Sequence, residues 1–145
     1  MNILLAVDDS KHAEEAVQGI LHLFKPQDAK IRILHVLPLP VLAGVPQMSR
    51  DYAPELQDLS KDAYALVDRY GERLRGAGFV LDSAVERGDI SDAIIESASG
   101  WHADLIVIGS GSHKGMGRLL FGSVADAIVR EAPCSVLVVR RPAKE

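Results

Sequence analysis

Cysteine is nearly missing from this sequence: 145 residues carry one, Cys134. A lone thiol closes no disulfide within the chain, and the N-terminus lacks the apolar run behind basic residues that an export signal needs, so a cytoplasmic location is expected. Long hydrophobic runs are missing as well. Leu105–Ile108 and Val136–Val139 are among the longest and stop far short of the roughly 20 residues that cross a bilayer, so no membrane association is expected. An excess of positive charge is missing too, with 16 Lys and Arg against 20 Asp and Glu and a formal charge of −4. General affinity for nucleic acid needs clustered cations that neutralise phosphates. No nucleic-acid partner is therefore expected, and an anionic ligand has to be held by local geometry. The histidines His12, His22, His35, His102 and His113 show no metal-ligand spacing with Cys134, so no metal held by the protein alone is expected. No internal repeat, charge block or low-complexity tract occurs. Only the stretch from Pro38 to Pro54 has the Pro, Gly and Ser density of a long loop, which reads either as a lid or as a plain solvent loop.

What is present is a regular alternation. Ile3–Val7, Ile31–Val36, Leu105–Ile108 and Val136–Val139 are continuous apolar runs, the pattern of strands covered by helices on both faces. Phe79–Val85 alternates with polar residues and suits a strand nearer a sheet edge. Ala13, Ala16, Val17, Ile20, Leu21 and Phe24 repeat at helical spacing after Ser10, a residue type that caps helices. Further helices are predicted over about 52–75, 91–98 and 123–131, the last stopped by Pro133. Alternating β and α elements imply parallel strands joined by right-handed crossovers, hence an α/β fold, a doubly wound three-layer sandwich in one domain spanning 1–145. At this length a single core buries roughly two-thirds of the unfolded surface without metal or disulfide support. Ligands of such folds sit beyond the carboxyl ends of the strands, where strand order reverses.

Three stretches at strand ends carry chemistry. Asp8-Asp9-Ser10 follows the first strand and resembles the acidic pair with which response-regulator receivers hold Mg²⁺. A receiver also needs an acceptor Asp ending its third strand and a Lys ending its fifth, whereas the run Asp104–Ile108 leads into Gly109 and the last strand into Arg140-Arg141-Pro142. Phosphorelay is kept as a minor alternative. Gly109-Ser110-Gly111-Ser112-His113-Lys114-Gly115-Met116-Gly117 follows another strand, and its glycines permit positive φ and close approach of backbone N–H groups to phosphate. It is neither a Walker A loop, because His113 precedes and Gly115 follows Lys114, nor a dinucleotide fingerprint, whose third glycine falls on Lys114. Finally, Gly122-Ser123 opens the helix that carries Val124, Ala125, Ile128 and Val129. A helix N-terminus attracts anions, and Ser123 can cap the helix or donate to a phosphate.

These segments, with Ala103–Ser110, Gly115–Arg130, Ala132–Arg140 and Leu34-His35-Val36, resemble the universal stress protein family over essentially the whole chain. The resemblance implies a Rossmann-like sheet of order 3-2-1-4-5 and a regulator of stress response or survival that binds ATP together with Mg²⁺, with at most slow turnover. The ATP-binding branch is similar to a pattern of Gly, two residues, Gly, nine residues and Gly-Ser; here Gly109 and Gly122-Ser123 match, and Ser112 replaces the second glycine. A Cβ at Ser112 costs roughly 1 kcal/mol or more if φ is positive there, unless its hydroxyl replaces a water or Gly111 absorbs the strain, and ATP binding is expected to survive. Carried over residue by residue, the resemblance implies that Ala6 and Val7 line the adenine or ribose side and that Asp8 meets ribose or a water-bound Mg²⁺. Val36 offers backbone groups to the adenine edge. Gly109, Ser110, Ser112, Gly122, Ser123 and Val124 cradle the phosphates, with Lys114 or Arg118 as outer charges. It also implies a homodimer through Val136–Val139, an apolar edge otherwise left exposed. The main alternative is a nucleotide-free dimeric interaction protein of the same fold; protein partners are not readable. His35, inside an apolar strand, is expected to be a satisfied core histidine, Cys134 to pack as a small hydrophobe, and Trp101 to cover the third helix.

Overall fold

The computed structural model describes residues 1–38, 53–111, 113–115, 118–120 and 122–140, without the side chains of 53–59, 113–115 and 118–120. Its first strand, β1 (Asn2–Ala6), carries Ile3, Leu4 and Leu5, all fully buried. A strand that hides both faces needs a helix layer on each side, and the chain supplies them in alternation. α1 (Lys11–Leu23), β2 (Lys30–Leu37), α2 (Ala53–Gly76), β3 (Val80–Arg87), α3 (Ile90–Gly100) and β4 (Leu105–Gly109) follow. Then come β5 (His113–Gly115), β6 (Arg118–Leu120), α4 (Ser123–Glu131) and β7 (Ser135–Val139). β1, β2, β3, β4 and β7 form one parallel sheet in the order β3-β2-β1-β4-β7, which is 3-2-1-4-5 when only its own strands are counted.

The pleat sorts the core into two halves. Ile3, Leu5, Ile31, Ile33 and Val107 meet Ala16, Val17 and Ile20 of α1 and Val67 and Leu74 of α2. Leu4, Leu34, Val36 and Ile106 meet Ile94 of α3 and Ile128 of α4. α1 lies close against the sheet because Gly19 has no side chain: a Cβ there would stand 2.6 Å from Val139 Cγ2 of β7.

Three features differ from the sequence-based expectations. β3 runs to Arg87, since Val85–Arg87 pair with His35–Leu37 of β2. α3 starts at Ile90 because Asp89 is the cap, its carboxylate accepting from Asp92 N–H at 3.1 Å. The glycine-rich stretch also holds an antiparallel pair, β5 with β6, in the register His113↔Leu120, Lys114↔Leu119 and Gly115↔Arg118. Of the lid candidate, residues 39–52 lie outside the described ones.

At the β2–β3 edge, Arg32 forks onto Asp82 with Nε–Oδ1 at 2.8 Å and Nη2–Oδ2 at 3.0 Å, and its guanidinium lies 4.9 Å from the Trp101 ring centre. Trp101 also packs on the core half beneath α3. The hydrogen bond from Arg32 draws the Asp82 carboxyl below its ordinary range, and the same bond raises Arg32. A lowered folded-state value contributes stability above the unfolded carboxylate range, lost as pH falls through the folded value. Asp82→Asn is expected to lower Tm by up to about 4 °C near neutrality, as befits a half-exposed pair. In melts followed by circular dichroism the gap to the parent closes as the medium is acidified through the carboxylate range.

Candidate functional site

Strand order reverses between β1 and β4, and the ends of these two strands build a cleft. At the end of β1, Val7 N–H donates to Leu34 carbonyl at 2.9 Å, and His35 Nδ1–H donates to Val7 carbonyl at 2.7 Å. A carbonyl only accepts, so the His35 proton sits on Nδ1. Because backbone groups of alternate strand residues point the same way, Val36 turns its N–H and C=O toward the same side as Leu34, beyond the end of β1. Asp8 is exposed, and its Oδ1 accepts from both the backbone N–H and the hydroxyl of Ser10. Ser10 Oγ in turn accepts from His12 N–H at 3.2 Å and caps α1.

At the end of β4 the first glycine has a structural duty that the motif did not reveal. A Cβ on Gly109 would stand 2.2 Å from the backbone carbonyl oxygen of His12 and 2.8 Å from its Cβ. The first turn of α1 sits where a side chain at 109 would be. Buried Ser110 follows, its N–H donating to Val139 carbonyl at 3.0 Å, and then Gly111 at φ 58°, a conformation glycine adopts without a Cβ penalty. Beyond the β5–β6 pair the chain returns to the same point: Gly122 N–H donates to Ser110 carbonyl at 3.0 Å, and a Cβ on Gly122 would stand 3.0 Å from the carbonyl oxygen of Gly111. The two glycine elbows are pressed together, and α4 begins at their junction.

The N-terminus of α4 is capped differently from those of α1 and α3. α1 is capped by the Ser10 hydroxyl and α3 by the Asp89 carboxylate, whereas Gly122 caps α4 with no side chain. Its first-turn N–H groups carry a partial positive charge at the wall of the cleft.

The cleft has a volume of about 320 Å³, the size range of small-ligand sites. Ala6, Val7, Asp8, Val36, Gly109, Ser110, Gly122, Ser123 and Val124 all line it. Ser112 lies outside the described residues, as do the side chains of Lys114 and Arg118. The sequence reading missed the apolar wall made by Leu34, Ile90, Ile94 and Ile108, and also His12. Ile90 and Ile94 are one helical turn apart, and Asp89 read as the cap of α3 is the signal that would have aimed them here. Among the described residues no group of three His, Cys, Asp or Glu side chains could hold a metal ion. Cys134 is half-buried against the core half beneath α3 and α4, and burial pushes its thiol up.

These features define a doubly wound α/β domain with a glycine-lined cleft at its switch point. The model of the universal stress protein family matches residues 1–140, and the chain belongs to that family. A universal stress protein of Methanocaldococcus jannaschii is 30% identical over 145 residues, covering 99% of this chain and 84% of its own. The fold is that of the universal stress protein UspA from Lactobacillus plantarum, with a TM-score of 0.84, 23% identity and 97% of both chains covered. A family protein from Arabidopsis thaliana solved with AMP bound has a TM-score of 0.69 at 20% identity, covering 100% of this chain and 94% of that one.

Proposed function

We propose that this chain is a cytoplasmic regulator of stress response or survival that binds ATP with Mg²⁺ in the β1–β4 cleft and turns it over slowly at most. The observation that carries the reading is the uncapped start of α4 at Gly122-Ser123, set against the Gly109–Gly111 elbow in a cleft of nucleotide-compatible size. A helix start without a side-chain cap has N–H groups to offer a phosphate. The residues present fit the group chemically. The apolar wall of Ile90, Ile94 and Val124 suits a base, the backbone of Val36 its polar edge, and Asp8 the ribose or a hydrated Mg²⁺. Gly109–Gly111 and Gly122–Val124 would hold the phosphates. The AMP complex of the Arabidopsis relative supports an adenine nucleotide in this family.

Binding is the function in this reading. The cleft is walled mainly by aliphatic side chains, hydroxyls and backbone, with Asp8 and His12 as its titratable side chains among the described residues. Dimerisation is part of the same proposal. β7 pairs with β4 and is the last strand in the sheet order, and Val136–Val139 are only half-buried. An edge of this kind invites a second copy. Among the described residues no helix is long and apolar enough to cross a membrane.

The test is a calorimetric titration of Mg-ATP into protein stripped of nucleotide by unfolding and refolding. Saturable micromolar binding is expected. No heat up to millimolar ATP, with an intact dimer, would replace it by the nucleotide-free interaction protein.

A further inference from the structure

His12 and Glu15 form a pair that the reading of the cleft does not use. They lie on α1 one turn apart, and His12 Nδ1 faces Glu15 Oε2 at 3.6 Å. Both atoms are shut off from solvent and make no hydrogen bond among the described residues. The rest of the imidazole is not shut off: the side chain is 23% exposed and lines the cleft. Its backbone is held on both sides, by Ser10 Oγ at the N–H and by the close packing of Gly109 at the carbonyl.

Proton placement follows from this arrangement. At 3.6 Å the two atoms are beyond hydrogen-bond reach, yet an unprotonated Nδ1 would face a carboxylate oxygen lone pair to lone pair in a buried place, which favours the ring proton on Nδ1. With that proton on Nδ1, Nε2 is the ring nitrogen left for the cleft. In the neutral ring Nε2 is an acceptor and opposes an anion; in the imidazolium it is a donor with a positive charge.

We propose that His12 is an anion-binding residue of the cleft, oriented by Glu15, and that it contacts a phosphate oxygen only as the imidazolium. The proposal rests on the nucleotide reading of the cleft and adds a proton to it: binding an anion takes up a proton wherever the free ring is neutral. Among the described residues, the charged groups that line the cleft or the groove beside the pair are Asp8 on the cleft side, Lys11 and Glu14 on α1, and Arg140 after β7, and Glu14 is itself paired with Arg73 of α2. β4 contributes Gly109 here, which does not titrate. Glu15 is a positioning residue, since it reaches the ligand only through the ring.

The experiment is calorimetry of Mg-ATP binding between about pH 6 and pH 8, in buffers of different ionisation enthalpy, for the unaltered protein, His12→Asn and Glu15→Gln. The unaltered protein is expected to bind on the order of tenfold more tightly at the acid end, with net proton uptake on binding near neutrality. His12→Asn is expected to lose that extra uptake and to match the parent only at the alkaline end; titration of the nucleotide's own phosphate is common to both and cancels in the difference. Glu15→Gln, which removes the carboxylate that orients the ring, is expected to weaken binding at the acid end and to leave the alkaline end unchanged. Ring-nitrogen NMR of His12 in the ligand-free protein reads, without a ligand, which nitrogen carries the proton of the neutral ring; a proton on Nε2 overturns the orientation by Glu15. Parallel pH profiles for the parent and His12→Asn overturn the role of His12 and leave the nucleotide cleft standing. No ATP binding by any of the three at any pH overturns both.

Discussion

Gly109→Ala is expected to destabilise the protein by about 3 kcal/mol or more, a fall in Tm of about 6–12 °C. The cause is spatial, because φ at 109 lies outside the positive region and alanine accepts the backbone. A methyl group built there stands 2.2 Å from a carbonyl oxygen in the first turn of α1. That oxygen belongs to the helix ladder and cannot swing aside alone, so the helix has to lift. α1 carries Ala16, Val17 and Ile20, all fully buried, and Gly19 already holds it tight against Val139. Lifting it opens one half of the core. Thermal and urea unfolding check this result. If Gly109 served only to let a phosphate approach, the variant would melt with the parent and lose ATP affinity alone.

The second large effect falls on binding and spares the fold. Ser123 is exposed at the first position of α4, which has no side-chain cap. Ser123→Asp places a carboxylate where the helix dipole favours it, so Tm is expected to stay within about 2 °C of the parent. The same charge stands where the ligand's phosphates are proposed to lie. Two like charges a few ångströms apart repel by several kcal/mol at an intermediate dielectric, and ATP affinity is expected to fall on the order of 100-fold. Ser123→Ala, which removes one hydrogen bond, is expected to cost roughly fivefold. Equal affinities for Asp, Ala and Ser at this position, measured by calorimetry, would move the phosphates away from α4.

Much of this was legible in the sequence, and the reasons are physical. Continuous Val, Ile and Leu runs mark strands covered on both faces, so β1, β2, β4 and β7 are visible in the sequence, and the helix expected over about 123–131 matches α4 because Gly122 and Pro133 bracket it. The β5–β6 pair was not legible. Arms of three residues each are too short to show a period, and glycines made the segment look like loop. The duty of Gly109 was hidden for a different reason. The motif shows a glycine at a strand end, but only the tertiary approach of α1 shows what fills the space of its missing side chain. The pair His12 and Glu15 has a visible i,i+3 spacing on any helical reading of α1. Its burial, which gives the spacing meaning, depends on which face of α1 the sheet covers.

The central claim, that the switch-point cleft is a nucleotide site, is tested most directly by following backbone amide resonances during a titration with Mg-ATP. The account predicts saturable shifts at Val7, Val36, Gly109–Gly111 and Gly122–Val124, with the strand ends distant from the cleft unmoved. No shifts up to millimolar ATP, or shifts confined to the groove between α1 and β7, would contradict it.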